Sequence, residues 1–175
     1  TAAALLAWLS APLSLSSVVL LTSASGAYFL RLSKLHGWRC SANALVWILH
    51  LAYLWLPVGL LLLAGAQVEI VPETAGIHAF STGAMATMIL AVMSRASLGH
   101  TGRALFASRE IVASYILITI AAVLRVQAAL SIGDGQAALA VAGAAWLGAF
   151  GLFLFRYGPT LCAPRSDENT KAGQA

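Results

Sequence analysis

Ala44-Leu-Val-Trp-Ile-Leu-His50-Leu-Ala-Tyr-Leu-Trp-Leu-Pro-Val-Gly-Leu-Leu-Leu-Leu-Ala-Gly-Ala66 contains no aspartate, glutamate, lysine or arginine. Roughly 20 mostly apolar residues in a helix suffice to cross a hydrocarbon layer of about 30 Å, so this run predicts a membrane span. Four more stretches share its character: Leu5–Leu30, Gly76–Arg95, Glu110–Ala129 and Ala137–Tyr157. The one from Glu110 is the weakest, because Ser114, Tyr115, Thr119, Arg125 and Gln127 interrupt it. The expected fold is all-α, a polytopic membrane helix bundle of about five transmembrane helices over residues 1–157. From Gly158 the chain mixes Pro, Ser, Asp, Asn, Thr and Lys without periodicity and is expected to be a disordered cytoplasmic tail.

Composition agrees with that reading. Of the residues, 60% are hydrophobic and 9% are charged, whereas soluble domains carry about a quarter charged residues. The formal net charge of +4 comes from basic residues dispersed among short connections, with no patch or stripe that would engage nucleic acid. They act as topology signals, since Lys and Arg collect on the cytoplasmic side. Arg31, Lys34 and Arg39 follow the first span, Arg95, Arg103 and Arg109 the third, and Arg156, Arg165 and Lys171 the fifth. The second and fourth connections carry Glu69, Glu73 and Asp134 instead. The N-terminus is therefore expected outside and the C-terminus in the cytoplasm. With Thr1 in place of an initiating methionine and no signal-peptide layout, the sequence reads as a piece of a longer protein whose earlier spans pack against these. Cys40 and Cys162 match no metal-ligand spacing and, on the reducing side, are expected to be free thiols.

Membrane helices associate where small residues let backbones approach. Ala79, Gly83, Thr87 and Ala91 form such a ridge in the third span, and Ala140, Ala144 and Gly148 in the fifth; both are expected contact faces. The serines of the first span, Ser14, Ser16, Ser17, Ser23 and Ser25, read as interhelical glue. Met85, Met88 and Met93 read first as gap-filling core, with ligation of Cu(I) as the alternative.

Ionisable groups inside a span are expensive and by default functional. His50 shares a helical face with Tyr53 and Pro57 and reads either as an imidazole bonded to a neighbouring helix or as a metal or haem ligand. His78 opens the third span. His100 lies in Gly99-His-Thr-Gly102, where glycines allow a turn whose N–H groups face an anion. With Arg95 and Arg103 beside it, that turn is suited to a carboxylate, a phosphate, a haem propionate or lipid headgroups. His36 reads as solvated. Arg125 sits about 6 Å inside its helix end at 1.5 Å per residue, and an arginine in mid-span costs about 3 kcal/mol on insertion scales; snorkelling or an anionic partner lowers that cost. Depth puts about 18 Å between His50 and His78, so two tiers are expected: His78 with Arg125 outside, and His50, His100, Arg95 and Arg103 inside. No soluble-enzyme signature is present, and Gly133-Asp-Gly135 lacks the strand and helix of a nucleotide fingerprint.

The runs His78-Ala-Phe-Ser-Thr-Gly83, Met88-Ile-Leu-Ala-Val-Met-Ser-Arg95 and Ser97-Leu-Gly-His-Thr-Gly-Arg103 resemble the NnrS family of bacterial inner-membrane proteins. His50-Leu-Ala-Tyr-Leu-Trp55 and Leu124-Arg125-Val126 are similar to it in placement. The resemblance runs from about Trp38 to Tyr157, and Leu98-Gly-His-Thr-Gly-Arg103 is its most specific part. It implies the C-terminal portion of a protein with roughly twelve spans, haem and copper as cofactors, and a role in the response to nitric oxide and nitrosative stress, with nitric oxide as a ligand. No catalytic reaction is attached to the family. The resemblance implies that His78, Arg95, His100, Arg103, His50 and Arg125 belong to the family's functional core, without assigning a residue to a metal. Taken with the residue chemistry, His50, His78 and His100 are the expected metal ligands, and Arg95, Arg103, Arg125, Tyr53 and Thr101 the expected cofactor contacts. The rival readings are a transporter whose ionisable residues line a path, and a purely structural subunit.

Overall fold

The computed structural model describes residues 2–10, 13–35 and 43–163, and these are helical with no strand among them. The elements are α1 (Ala2–Ser10), α2 (Leu15–Lys34), α3 (Ala44–Ala66), α4 (Glu73–His78), a π-helical segment (Ala79–Ala86), α5 (Thr87–His100), α6 (Arg109–Ala129) and α7 (Gly135–Cys162). Five continuous stretches are long and apolar enough to span a membrane: α2, α3, the unit from Glu73 to His100, α6 and α7. His36, Arg39, Cys40, Arg165 and Lys171 lie outside the described residues, as does the chain after Ala163.

The first expected span divides in two. α1 stops at Ser10 and is too short to cross a bilayer, Leu13 takes a left-handed φ of 60°, and α2 starts afresh behind Ser14, whose hydroxyl accepts from the Ser17 amide at 3.2 Å. Pro12 in the sequence explains the break, since proline lacks an N–H and disfavours helical backbone before it. The Leu13 amide donates to Gln67 Oε1 at 2.8 Å, tying the break to the end of α3. The span boundary therefore shifts from Leu5–Leu30 to Leu15–Lys34. At the other end of the chain α7 continues through the expected limit at Gly158 to Cys162, which is exposed and free.

The unit from Glu73 to His100 is the most buried of the five spans, 44% of its most apolar window being inside. It packs against α3 on one side and α6 on the other; α2 extends the sheet of helices beyond α3, and α7 closes against α6 and α5. The ridge expected on it holds: Ala79, Thr87 and Ala91 are fully buried and Gly83 is buried too. Backbone approach is what makes the contact close. A β-carbon at Gly76 would come within 2.7 Å of Leu63, and one at Gly83 would strike the Trp55 indole. The ridge expected on α7 holds only at Gly148, where a β-carbon would come within 3.2 Å of Leu117. Ala140 and Ala144 are exposed, and the buried face is Ala138, Ala142, Ala145, Ala149 and Phe153. Small residues occupy nearly every face of α7, so their spacing alone could not single out the one that packs.

Polar glue appears where hydrocarbon makes it valuable. Buried Ser25 donates to the Pro57 carbonyl at 2.9 Å, joining α2 to α3, and buried Ser114 donates to the Ala149 carbonyl at 2.7 Å, joining α6 to α7. Such interhelical bonds contribute roughly 0.6 kcal/mol each in membrane proteins. Ser23, by contrast, is exposed. The main core lies between α3, α5, α6 and α7 around Ile48, Leu90, Ile111, Tyr115 and Phe153; a smaller one gathers Ala4, Leu21, Leu60 and Leu63 beneath α1.

Candidate functional site

Alternation of the spans brings the ends of α2 and α5, the start of α6 and the end of α7 together as a basic end, where Glu110 and Arg156 approach to 4.0 Å. His50 lies six residues into α3 from this end, about 9 Å at 1.5 Å per residue. Its Nδ1 is 3.0 Å from the Val46 carbonyl. A carbonyl can only accept, so that nitrogen carries a proton, and in the neutral imidazole the free lone pair is then on Nε2. This is the way protein structures usually prepare an imidazole for metal, with one ring nitrogen bound to the backbone and the other presented.

The imidazole opens on a groove of about 180 Å³ lined by Leu35, Leu49, His50, Tyr53 and Met88. Tyr53 continues into a neighbouring groove with Ala27, Tyr28 and Arg31, and its ring sits 5.4 Å from that of Tyr28. The Tyr53 hydroxyl is buried and makes no hydrogen bond among the described residues. The methionine stripe thus does not fill the core: Met85 and Met93 are exposed, at 58% and 39%, and Met88 turns to the His50 groove. Sequence spacing could not reveal that pairing, because the two residues stand on different helices 38 positions apart.

At the opposite end, His78 is half-buried and within electrostatic reach of Arg125. Arg125 lines a groove of about 280 Å³ with Thr82, Ala121, Ala142, Gly143 and Trp146. Between His78 and Thr87 the backbone runs as a π-helix for eight residues. Such segments often mark functional positions; here it turns Phe80 toward α3 and Thr82 toward α6 and α7. Nothing in the composition of Ala79–Ala86 distinguishes it from an α-helical run.

The expected anion cradle at His100 is corrected. His100 is the exposed last residue of α5, Thr101 is its C-cap, and Gly102 has φ of 68°. The Gly102 amide donates to the Gly99 carbonyl at 3.3 Å and the Arg103 amide to the Leu98 carbonyl at 3.0 Å. This is a Schellman cap, so the N–H groups meant for an anion are consumed by the helix end. Thr101 is likewise turned inward, its hydroxyl donating to Ser97 at 2.6 Å. Arg103 reaches Thr160 on α7, its Nη1 donating to the carbonyl at 3.4 Å. Arg95 is half-buried near Tyr115. Neither arginine, nor His100, lines the His50 groove. Among the described residues no three His, Cys, Asp or Glu side chains converge on one point.

A family model described as "NnrS protein" matches residues 1–165, nearly the whole chain. The chain belongs to the NnrS family. No curated protein and no solved structure matches it. As an NnrS protein it is an integral membrane helix bundle, and the resemblance first carried by Leu98-Gly-His-Thr-Gly-Arg103 extends across all five spans. In this NnrS chain the most specific motif builds a helix end and its tether to α7, while the chemically equipped groove belongs to His50 and Met88.

Proposed function

We propose that this protein is a copper- and haem-associated inner-membrane protein that acts in the response to nitric oxide, with its C-terminus in the cytoplasm. The observation that carries the reading is the His50 groove. One imidazole is fixed by Val46 with its Nε2 free, and one thioether, Met88, lines the same space. An N,S donor pair in an apolar membrane groove suits Cu(I), and the two residues would hold the ion from α3 and α5. A copper ion there supplies a soft, redox-active centre to which a small neutral gas has access through hydrocarbon. The protein's own part is to fix the imidazole tautomer, exclude water and keep the thioether facing the imidazole.

A haem fits the described residues less completely. The grooves of about 180 and 280 Å³ at His50 and Arg125 fall below the roughly 300–1,000 Å³ of pockets that enclose even drug-sized ligands. The haem of this reading therefore rests on family membership. Tyr53, whose buried hydroxyl has no partner among the described residues, is the residue of this chain best placed to receive a polar group of a ligand in these grooves.

The test is spectroscopic. Full-length protein purified from membranes is analysed for copper and haem, and its optical spectrum is followed as nitric oxide is added anaerobically. Bound metal and a spectral change that His50→Ala removes support the reading; a metal-free, colourless protein indifferent to nitric oxide overturns it.

A further inference from the structure

Arg125 has no carboxylate partner among the described residues. It is half-buried on α6, four residues from the helix end and so about 6 Å inside it. Among the described residues the one ion pair joins Arg156 to Glu110 at the other end of the bundle. The carboxylates on Arg125's own side are engaged elsewhere or turned outward: Asp134 caps α7 through the amides of Gln136 and Ala137, Glu73 is exposed in the first turn of α4, and Glu69 is exposed after α3. The group within electrostatic reach is another base, His78.

A second polar group, partly buried Thr82, lines the same groove. Hydroxyls inside helices commonly bond back to the carbonyl four residues earlier, and Thr22, Ser81, Ser94, Thr101 and Thr119 all do so here. Thr82, displaced by the π-helical segment, makes no hydrogen bond among the described residues and lines the groove with Arg125. The remaining walls are apolar and low, and a β-carbon at Gly143 would meet nothing within 4 Å.

We propose that this groove between the π-helical segment, α6 and α7 binds an anionic phospholipid, with Arg125 and Thr82 on its phosphate and the acyl region against Trp146. The chemistry selects the occupant. A guanidinium and a hydroxyl recognise phosphate oxygens, the remaining lining residues of the groove are apolar, and the depth of Arg125 is that of a snorkelling arginine at the headgroup level. A soluble anion would have no use for the apolar wall, and a neutral lipid none for the cation. This site is separate from the His50 groove and does not depend on its metal.

Native mass spectrometry of the full-length protein decides the matter, with phosphatidylglycerol or phosphatidylcholine of matched chains added to the detergent. The wild type is expected to retain one phosphatidylglycerol in preference to phosphatidylcholine. Arg125→Gln weakens retention about fivefold, in line with roughly 1 kcal/mol per basic residue at an anionic surface. Arg125→Lys keeps most of it, and Gly143→Leu, which fills the groove from open space, abolishes it. Should Arg125→Gln fail to fold, Gly143→Leu alone decides. Equal retention of both lipids, unchanged phosphatidylglycerol in Gly143→Leu, or release of a bound haem rather than lipid by that variant would each overturn the proposal. Copper content of Gly143→Leu is measured in parallel and is expected to match the wild type.

Discussion

Gly83 lies against the indole of Trp55, so close that a β-carbon at position 83 would fall inside the ring's contact distance. This contact seats the π-helical segment on α3, at the centre of the bundle. Gly83→Ala is expected to destabilise the protein by about 1–3 kcal/mol, the usual cost of overpacking. Gly143→Ala, where nothing lies within 4 Å, should change stability by less than about 1 kcal/mol. Thermal unfolding of the two variants in one detergent checks the contrast; equal melting temperatures would mean that the Trp55 contact does not constrain position 83.

Gly102 ends α5 in left-handed backbone, with φ of 68°. An L-residue with a β-carbon costs about 1–2 kcal/mol in that conformation, so Gly102→Val should lower stability by that amount and Gly102→Asn by less. The loss should extend to α7, because Arg103 follows directly and bonds to the Thr160 carbonyl. Hydrogen exchange of amides around Thr160 reads this coupling: faster exchange in Gly102→Val is the expected result, and unchanged exchange contradicts it.

Thr87 is fully buried, and its hydroxyl has no partner among the described residues. Leaving a buried hydroxyl unpaired costs about 1–3 kcal/mol. Thr87→Val should therefore be neutral or stabilising in thermal unfolding, whereas removal of a hydrogen-bonded buried hydroxyl is normally unfavourable. A fall in melting temperature would show that the hydroxyl is bonded in the folded protein.

The five spans were legible because hydrocarbon imposes a length and a composition that little else in a sequence imitates. Their outer limits were less so. Pro12 divides the first apolar run, yet the run from Leu5 to Leu30 is continuous in hydropathy; and α7 tolerates Pro159 and ends at Cys162 rather than before Gly158. The buried ridge Ala79-Gly83-Thr87-Ala91 could be read because small residues concentrate on one face, whereas on α7 they surround the helix. The π-helical segment left no mark in residue type. That His78 and Arg125 lie toward the same end of the bundle could be read from depth along the chain alone. That His50 and Met88 line one groove depends on how α3 and α5 rotate against each other, which no spacing encodes. The glycines around His100 pointed to a turn, and a turn is present, but a helix end satisfies its own carbonyls before it can offer N–H groups to a ligand.

Copper X-ray absorption on the full-length protein tests the central claim most directly, comparing the wild type with Met88→Leu, His50→Ala and His78→Ala. The account predicts copper with nitrogen and sulfur neighbours in the wild type and in His78→Ala. It predicts loss of the sulfur contribution in Met88→Leu and loss of the bound copper in His50→Ala. Copper with an unchanged coordination shell in both His50→Ala and Met88→Leu would contradict it.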